Sequence, residues 1–427
     1  MFKSVKKFFH NLSQNGNVAR ILLFLSIVGP GLITANVDND ANGIATYSVS
    51  GSMYGYSILW VLVLVTVFQA VIQEMCARLG CITGKGLSDV IRENFGVKIT
   101  MYLLLVLLAA NFGNVVGNFA GLAAGAELFG IPRGIAVPVG AFFIWFIVLK
   151  GSYERTEKIF LWACLIYLTY IVSGIMAKPD WGEVARESIH PKVKVDFNYI
   201  YMITAILGTT IAPWMQFFQQ SAIRDKEVDP KNYVYVRWDT YIGTFVMASV
   251  SCFIIIACGA TLHMKGIKIE TAEQAALALA PLAGKYCSLL FGVGLINAAI
   301  FATAIIPLSS SYAICEAFGW ESGMGKSFKE APVFFGIFTA MIAAGALIIS
   351  IPGIPLIPIM ILSQAFNGIL LPFIVIMVLI LVNKKELMGE FVNSKRFNIV
   401  AWLAVILIVA LSVFLVVTTL IPSIRPQ

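Results

Sequence analysis

Apolar runs long enough to cross a membrane alternate with short polar segments along the whole chain, at roughly 20–51, 57–77, 99–128, 134–150, 158–177, 198–222, 239–262, 286–318, 331–351, 355–382 and 398–421. A helix needs about 20 apolar residues to span the hydrocarbon core of a bilayer, so the pattern predicts eleven transmembrane helices. Two runs are interrupted. In the first, Asp38, Asn39, Asp40, Asn42 and Gly43 fall midway through Gly29–Tyr56. In the sixth, apolar Tyr199–Ile211 is loosened by Gly208, Thr209, Thr210, Ala212 and Pro213 before Trp214–Ala222 resumes. Neither half of either helix is long enough to span alone. An ionisable side chain at bilayer depth costs about 2.5–3.5 kcal/mol on insertion scales and marks a functional site by default. Broken backbone persists at that depth only where protein buries it or where it lines a cavity.

Interrupted helices five spans apart predict an inverted-repeat transporter with its site at the midplane. An odd number of helices in each half makes the two halves inverted. The expected organisation is a cytoplasmic N-terminal segment (1–19), a first repeat (20–177), a second repeat (198–382) and an eleventh helix (398–421).

Composition narrows the class. The 427 residues are 59% hydrophobic and 12% charged, and the mean hydropathy of +0.86 fits no soluble class. A net charge of +7 would suggest a nucleic-acid partner in a soluble protein. Here the basic residues sit at helix ends and report topology instead. Most of the 30 Lys and Arg fall before the first span or after even-numbered ones, including Arg78, Lys85, Arg92, Lys98, Lys150, Arg155, Lys158, Arg224, Lys226, Arg237, Lys384 and Lys385. The positive-inside rule then places the N-terminus in the cytoplasm and the C-terminus outside. Lys3, Lys6 and Lys7 precede the first run and no small-residue cleavage site follows, which predicts a retained helix rather than a removed leader. Seven cysteines lie within or beside apolar runs without paired loop spacing, as small core residues do.

At the first break, Asp40 is the leading ion ligand, because a carboxylate beside freed carbonyls suits a hard cation. The bland role for the same residue is a cap on the second half-helix. Asp38 either adds a second negative charge or satisfies broken backbone. Asn42 and Gly43 offer a side-chain or carbonyl oxygen, although glycine also simply permits unwinding. At the second break, Pro213 removes a donor and frees carbonyls in the preceding turn, those of Thr209 or Thr210; a plain proline kink is the alternative. Gln364 and Asn367 are amides three residues apart on one face of the tenth span, where interhelical hydrogen bonding is the common role. His10, His190 and His263 fall in the N-terminal tail, a loop or a helix end. The third span carries Asn111, Asn114 and Asn118 but no acid until Glu127. Proton relays need acids or histidines at depth, and this chain offers few besides the proposed ion ligand.

These motifs resemble the Nramp family of divalent metal transporters over most of the chain. Glu74–Leu87, EMCARLGCITGKGL, is similar to the family's loop after the second helix. Asp40-Ala41-Asn42-Gly43 falls on its Asp-Pro-Gly-Asn motif, and the segment from Gly208 to Trp214 on its Gly-Ala-Thr-Val-Met-Pro-His motif. The resemblance implies an all-α LeuT-type fold of 11 helices, two inverted five-helix repeats plus one, with helices 1 and 6 discontinuous. It implies an ion site lined by Asp40, the Thr209 carbonyl and Gln364. The departures are informative. Gly43 stands at the motif asparagine, and Ala212 at the metal-binding methionine. A thioether favours softer transition metals, so its loss leaves a roomier oxygen site suited to Mg2+, which sheds water reluctantly. Trp214 replaces the motif histidine, Gln219 or Gln220 a second histidine, and Asn114 and Gly117 the third-helix acids. Those family residues are linked to proton movement.

The pattern looks like the Nramp-related magnesium transporters, a prokaryotic branch. The expected protein is a non-enzymatic, multi-pass carrier of the prokaryotic plasma membrane. It imports Mg2+, and also Mn2+, by alternating access as a uniporter, without a cofactor. Asp40, Gly43, Thr209, Ala212 and Gln364 form its ion site, with Asp38, Asn42, Thr210, Pro213 and Asn367 behind them. Its partners are the ion and the bilayer, not nucleic acid. The runner-up is a proton-coupled Mn2+/Fe2+ importer. An organic-solute carrier on the same fold comes next, disfavoured because Asp38 and Asp40 repel a carboxylate. A metal sensor is disfavoured because nothing resembling a large signalling domain follows Leu420.

Overall fold

A computed structural model describes residues 30–150, 164–193 and 196–421. The 1–19 segment, residues 20–29 of the first span and 158–163 of the fifth lie outside the described residues. Among those described, the chain is helical without strands. The first span is α1 (Pro30–Val37) and α2 (Ala41–Tyr54), and the second is α3 (Leu59–Thr83). A short α4 (Leu87–Phe95) leads to the third span, α5 (Val97–Glu127), and the fourth, α6 (Arg133–Lys150). The fifth span is seen as α7 (Leu168–Met176), followed by α8 (Trp181–Ile189). The sixth is α9 (Phe197–Thr210) and α10 (Pro213–Asp225). Then come α11 (Tyr233–Thr261), α12 (Cys287–Phe318), α13 (Pro332–Ser350), α14 (Leu356–Val382) and α15 (Lys395–Leu420). Nine helical stretches of the described residues are long and apolar enough to cross a membrane, α2 and α3 counting as one and the shorter α7 standing apart.

Each of the first four spans packs against the span five positions later. α5 lies along α12, α3 along α11, α6 along α13, and the two interrupted spans meet where α2 touches α9 and α1 touches α10. Such pairing is what two five-helix halves facing each other produce. α14 packs on both α9 and α5, and α15 covers α14. Gly208 of α9 and Gly368 of α14 remove the side chains between two backbones: a Cβ on Gly208 would strike the Gln364 carbonyl, and one on Gly368 would stand 2.5 Å from the Thr204 carbonyl.

One boundary differs from the sequence reading. Glu74–Thr83 is helix rather than loop, so the second span runs on past residue 77. Glu74 and Arg78 pair at i,i+4 (3.2 Å), and the helix stops only where Gly84 adopts a left-handed φ of 62°. Similarly, α11 starts at Tyr233, placing Arg237 within its first turns. The loop read around 178–197 holds α8, capped by Asp180, and that around 263–285 holds short helical turns.

Candidate ion site

Three successive side chains at the first break engage three different helices. Gln69 of α3 donates its Nε2 to Asp38 Oδ2 (3.1 Å). Ser251 of α11 donates to Asn39 Oδ1 (2.8 Å). Asn118 of α5 donates its Nδ2 to Asp40 Oδ2 (2.7 Å). Asp and Asn side chains compete with the helical backbone for hydrogen bonds, and here tertiary partners hold them outside it. Asp40 is also the N-cap of α2. Its backbone is extended (φ −67°, ψ 178°) and its Oδ1 accepts from Gly43 N (2.6 Å). Asn42 Nδ2 adds a bond to Oδ2 (3.0 Å). The capping role is therefore realised, and both Asp40 oxygens are met by N–H donors that would orient the carboxylate toward an ion. Asp40 is buried, at 4% exposure.

The second break follows from Pro213. It has no N–H to give the Thr209 carbonyl four residues earlier, and it holds the preceding Ala212 extended (φ −70°, ψ 142°). Pro213 then opens α10 at the first-turn position where proline is well suited. Ala212 is buried at the α10 N-cap, and Gln216, with its amide turned to donate, reaches the Ala212 carbonyl (2.7 Å). The Thr210 hydroxyl donates to Ile206 O (2.7 Å) and meets the Tyr47 hydroxyl (2.9 Å), joining the two interrupted spans. Trp214 is buried, tilted against Phe218, and its carbonyl accepts from Ser309 Oγ (2.9 Å). Gln219 donates to Thr240 Oγ1 (2.9 Å) and Gln220 to Lys85 O (3.0 Å).

Gly43 joins the breaks. A Cβ there would stand 2.5 Å from the Asp38 carbonyl oxygen, 3.1 Å from Thr209 Oγ1 and 3.3 Å from Asp40 Oδ1. Three oxygens, from both interrupted helices, thus crowd Gly43 closely, and any side chain there would collide with the Asp38 carbonyl.

An amide cluster extends from this point into α5 and α14. Asn42 Nδ2 donates to Asn114 O (3.1 Å). Asn114 Oδ1 accepts from Gln364 Nε2 (3.0 Å) and Asn367 Nδ2 (2.9 Å), while Gln364 Oε1 accepts from Asn367 (2.9 Å). Gly117 backs onto Asn42, whose Oδ1 is buried without a hydrogen-bond partner. Gln364 and Asn367 thus make the interhelical bonds expected of amides in an apolar run.

Two contact residues were not among the predicted site residues. Asn118 grips Asp40 and also accepts from Ala41 N (3.2 Å). The signal for it was its i+4 spacing from Asn114 on one face. Gln69 was detectable only as an amide within an apolar run. Glu74, Asp239 and Glu316 are also buried within the protein. Each finds its partner in the fold, Arg78 for Glu74 (3.2 Å), Gly31 N for Asp239 (2.7 Å) and Arg224 for Glu316 (2.8 Å). Among the described residues, no group of three His, Cys, Asp or Glu side chains gathers to hold a metal.

Comparison with known proteins adds independent information. The family model "Natural resistance-associated macrophage protein-like" matches residues 31–418. The divalent metal cation transporter MntH of Bacillus subtilis (strain 168) is 26% identical over 419 residues, 95% of each chain. MntH of Yersinia pestis (strain Pestoides F) is 25% identical over 404 residues, 93% of this chain and 96% of that one. Among solved structures, a manganese transporter of Eremococcus coleocola superposes with a TM-score of 0.76 at 19% identity, covering 94% of this chain and 87% of the other. Mhp1, a nucleobase-cation-symport-1 family transporter, gives a TM-score of 0.53 at 16% identity over 92% and 93% of the two chains. The fold is accordingly the LeuT-type transporter fold.

Proposed function

Since the chain belongs to the Nramp (natural resistance-associated macrophage protein-like) family, we propose that it is a membrane transporter of divalent cations, with Mg2+ as its principal cargo and Mn2+ also accepted. The supporting observation is the cluster of oxygens from both breaks close about Gly43, Asp38 O, Thr209 Oγ1 and Asp40 Oδ1, together with a methyl group at Ala212 where a thioether would select softer metals. Asp40 supplies the charge, Thr209 and Gly43 supply backbone oxygens, and Gln364 an amide oxygen. Alternating access moves the halves 20–177 and 198–382 around this point. Asn114, Gly117 and Trp214 offer no group that titrates near neutrality, which supports movement of the cation without a coupled proton. With the N-terminus in the cytoplasm of a prokaryotic cell, a membrane potential draws the cation inward by about 2.3 kcal/mol per charge per 100 mV.

A second reading is a proton-coupled Mn2+ importer, favoured by the printed names of the relatives, which include a manganese transporter and divalent metal cation transporters. Purified protein in liposomes loaded with Mg2+-, Mn2+- and pH-sensitive dyes separates the two. Mg2+ entry without acidification supports the first; Mn2+ entry alone, with acidification, supports the second. Full uptake by Asp40→Ala would remove the ligand assignment from both.

A further inference from the structure

The two acids at the first break are satisfied very differently. Asp40 has N–H donors on both carboxylate oxygens. Asp38, 2% exposed, has one: Gln69 Nε2 on Oδ2. Its Oδ1 is buried with no hydrogen-bond partner, and so is the Oε1 of Gln69, a residue at 0% exposure. Nearby donors are already engaged. The Ser251 hydroxyl serves Asn39, and the Tyr47 and Thr210 hydroxyls face one another. Neither Asp38 nor Asp40 takes part in an ion pair among the described residues. Buried acceptors without a donor are costly, and a buried carboxylate is costlier still. Both orphaned oxygens belong to one hydrogen-bonded pair of side chains, and none of the donors in place meets either of them.

We propose that Asp38 and Gln69 form a second cation subsite, facing α3, while the site at Asp40 faces α5. Its donors are a carboxylate and an amide oxygen, with no sulfur or imidazole, so it takes a small hard cation. Two sources share that chemistry, a divalent ion in transit and Na+. The subsite rests on atoms other than those assigned to Asp40, so either can fail alone.

The test is equilibrium cation binding by titration calorimetry on the purified full chain in nanodiscs, with MgCl2 and NaCl as separate titrants. Wild type should bind two cation equivalents, Asp38→Asn should bind one fewer, and Gln69→Met should weaken that same site at least tenfold. Asp40→Asn should keep it. Loss of a Mg2+ equivalent in Asp38→Asn identifies cargo in transit, and loss of a Na+ equivalent identifies a co-bound monovalent ion; either supports the subsite. Unchanged stoichiometry and affinity for both salts in Asp38→Asn overturns it, whatever Asp40→Asn does. Should Asp38→Asn not fold, Gln69→Met decides alone, since it keeps the side-chain length and removes only the amide: unchanged binding there overturns the subsite equally. Loss of the Asp38-dependent equivalent with full uptake by Asp40→Ala would instead sustain the subsite and remove the ligand assignment of Asp40.

Discussion

The two interrupted helices reach the same geometry by opposite chemistry. In the first, side chains break the helix: Asp38, Asn39 and Asp40 are each drawn to a different neighbour, α3, α11 and α5. In the second the backbone does it, through a proline flanked by Ala212 and Trp214. The first break therefore brings charge and a rigid frame around it. The second brings a carbonyl, that of Thr209, deprived of its usual helical N–H partner. A hard cation needs both, and dividing them between helices lets each break be altered without abolishing the other.

That division is open to direct attack. The largest effect is expected from Asp40→Ala, which removes the charge and costs about 3 kcal/mol or more, roughly a hundredfold in uptake; liposome flux measures it. Asn118→Ala should follow, losing a hydrogen bond to a charged group worth about 1.5–3 kcal/mol. Its signature is a raised KM with the maximal rate largely kept, and Asn118→Gln should restore part of it. Equal falls in rate and affinity would mean that Asn118 merely supports the fold. Pro213→Ala gives the Thr209 carbonyl an N–H partner again. About 1 kcal/mol of ion binding should be lost, a several-fold change, seen by calorimetry without loss of folded protein. If Pro213→Ala instead rivals Asp40→Ala, the assignment of charge to one break and backbone oxygen to the other is wrong. Ala212→Met should change selectivity rather than rate, moving preference toward Mn2+ by several-fold as a soft donor enters; competition between Mg2+ and Mn2+ reads it.

The smallest effect lies away from both breaks. Glu187 of α8 is held below the usual glutamate range by its hydrogen bond from Lys192 and by the nearby Lys192 and Arg186 charges. A depressed carboxylate stabilises the fold above its unfolded pKa, and the contribution fades as pH falls through the lower folded value. Lys192→Ala should therefore lower stability a little near neutrality and flatten the acid-induced loss, so that variant and wild type converge as pH falls. Thermal melts from pH 7 to 3 test this.

Much of the fold was legible because the bilayer imposes it. Runs of about 20 apolar residues and two interruptions five spans apart leave few alternatives. Pro213 was legible as a backbone event, since a missing N–H acts locally. Asp40 was legible as a cap, a role read from its place at the start of the second half-helix and realised through Gly43 N, but its partners on other helices were not. Asn118 and Gln69 were opaque for a different reason. Which amide of an apolar helix meets which acid depends on the rotation of two helices about their axes, and neither apolar length nor local propensity fixes that rotation. The end of α3 was missed because Glu74 and Arg78 look like loop residues until they are seen to pair along one helical turn.

The bare contact between Gly208 and Gly368 constrains how such a machine moves. With main chain resting directly on main chain, at Gln364 O on one side and Thr204 O on the other, no pliable side chain is left to absorb sliding. The leading half of the sixth span and the tenth span are thus packed as one unit, with little room for either to slide on the other. An added methyl at either glycine would force these two helices apart right beside Thr209 and Gln364.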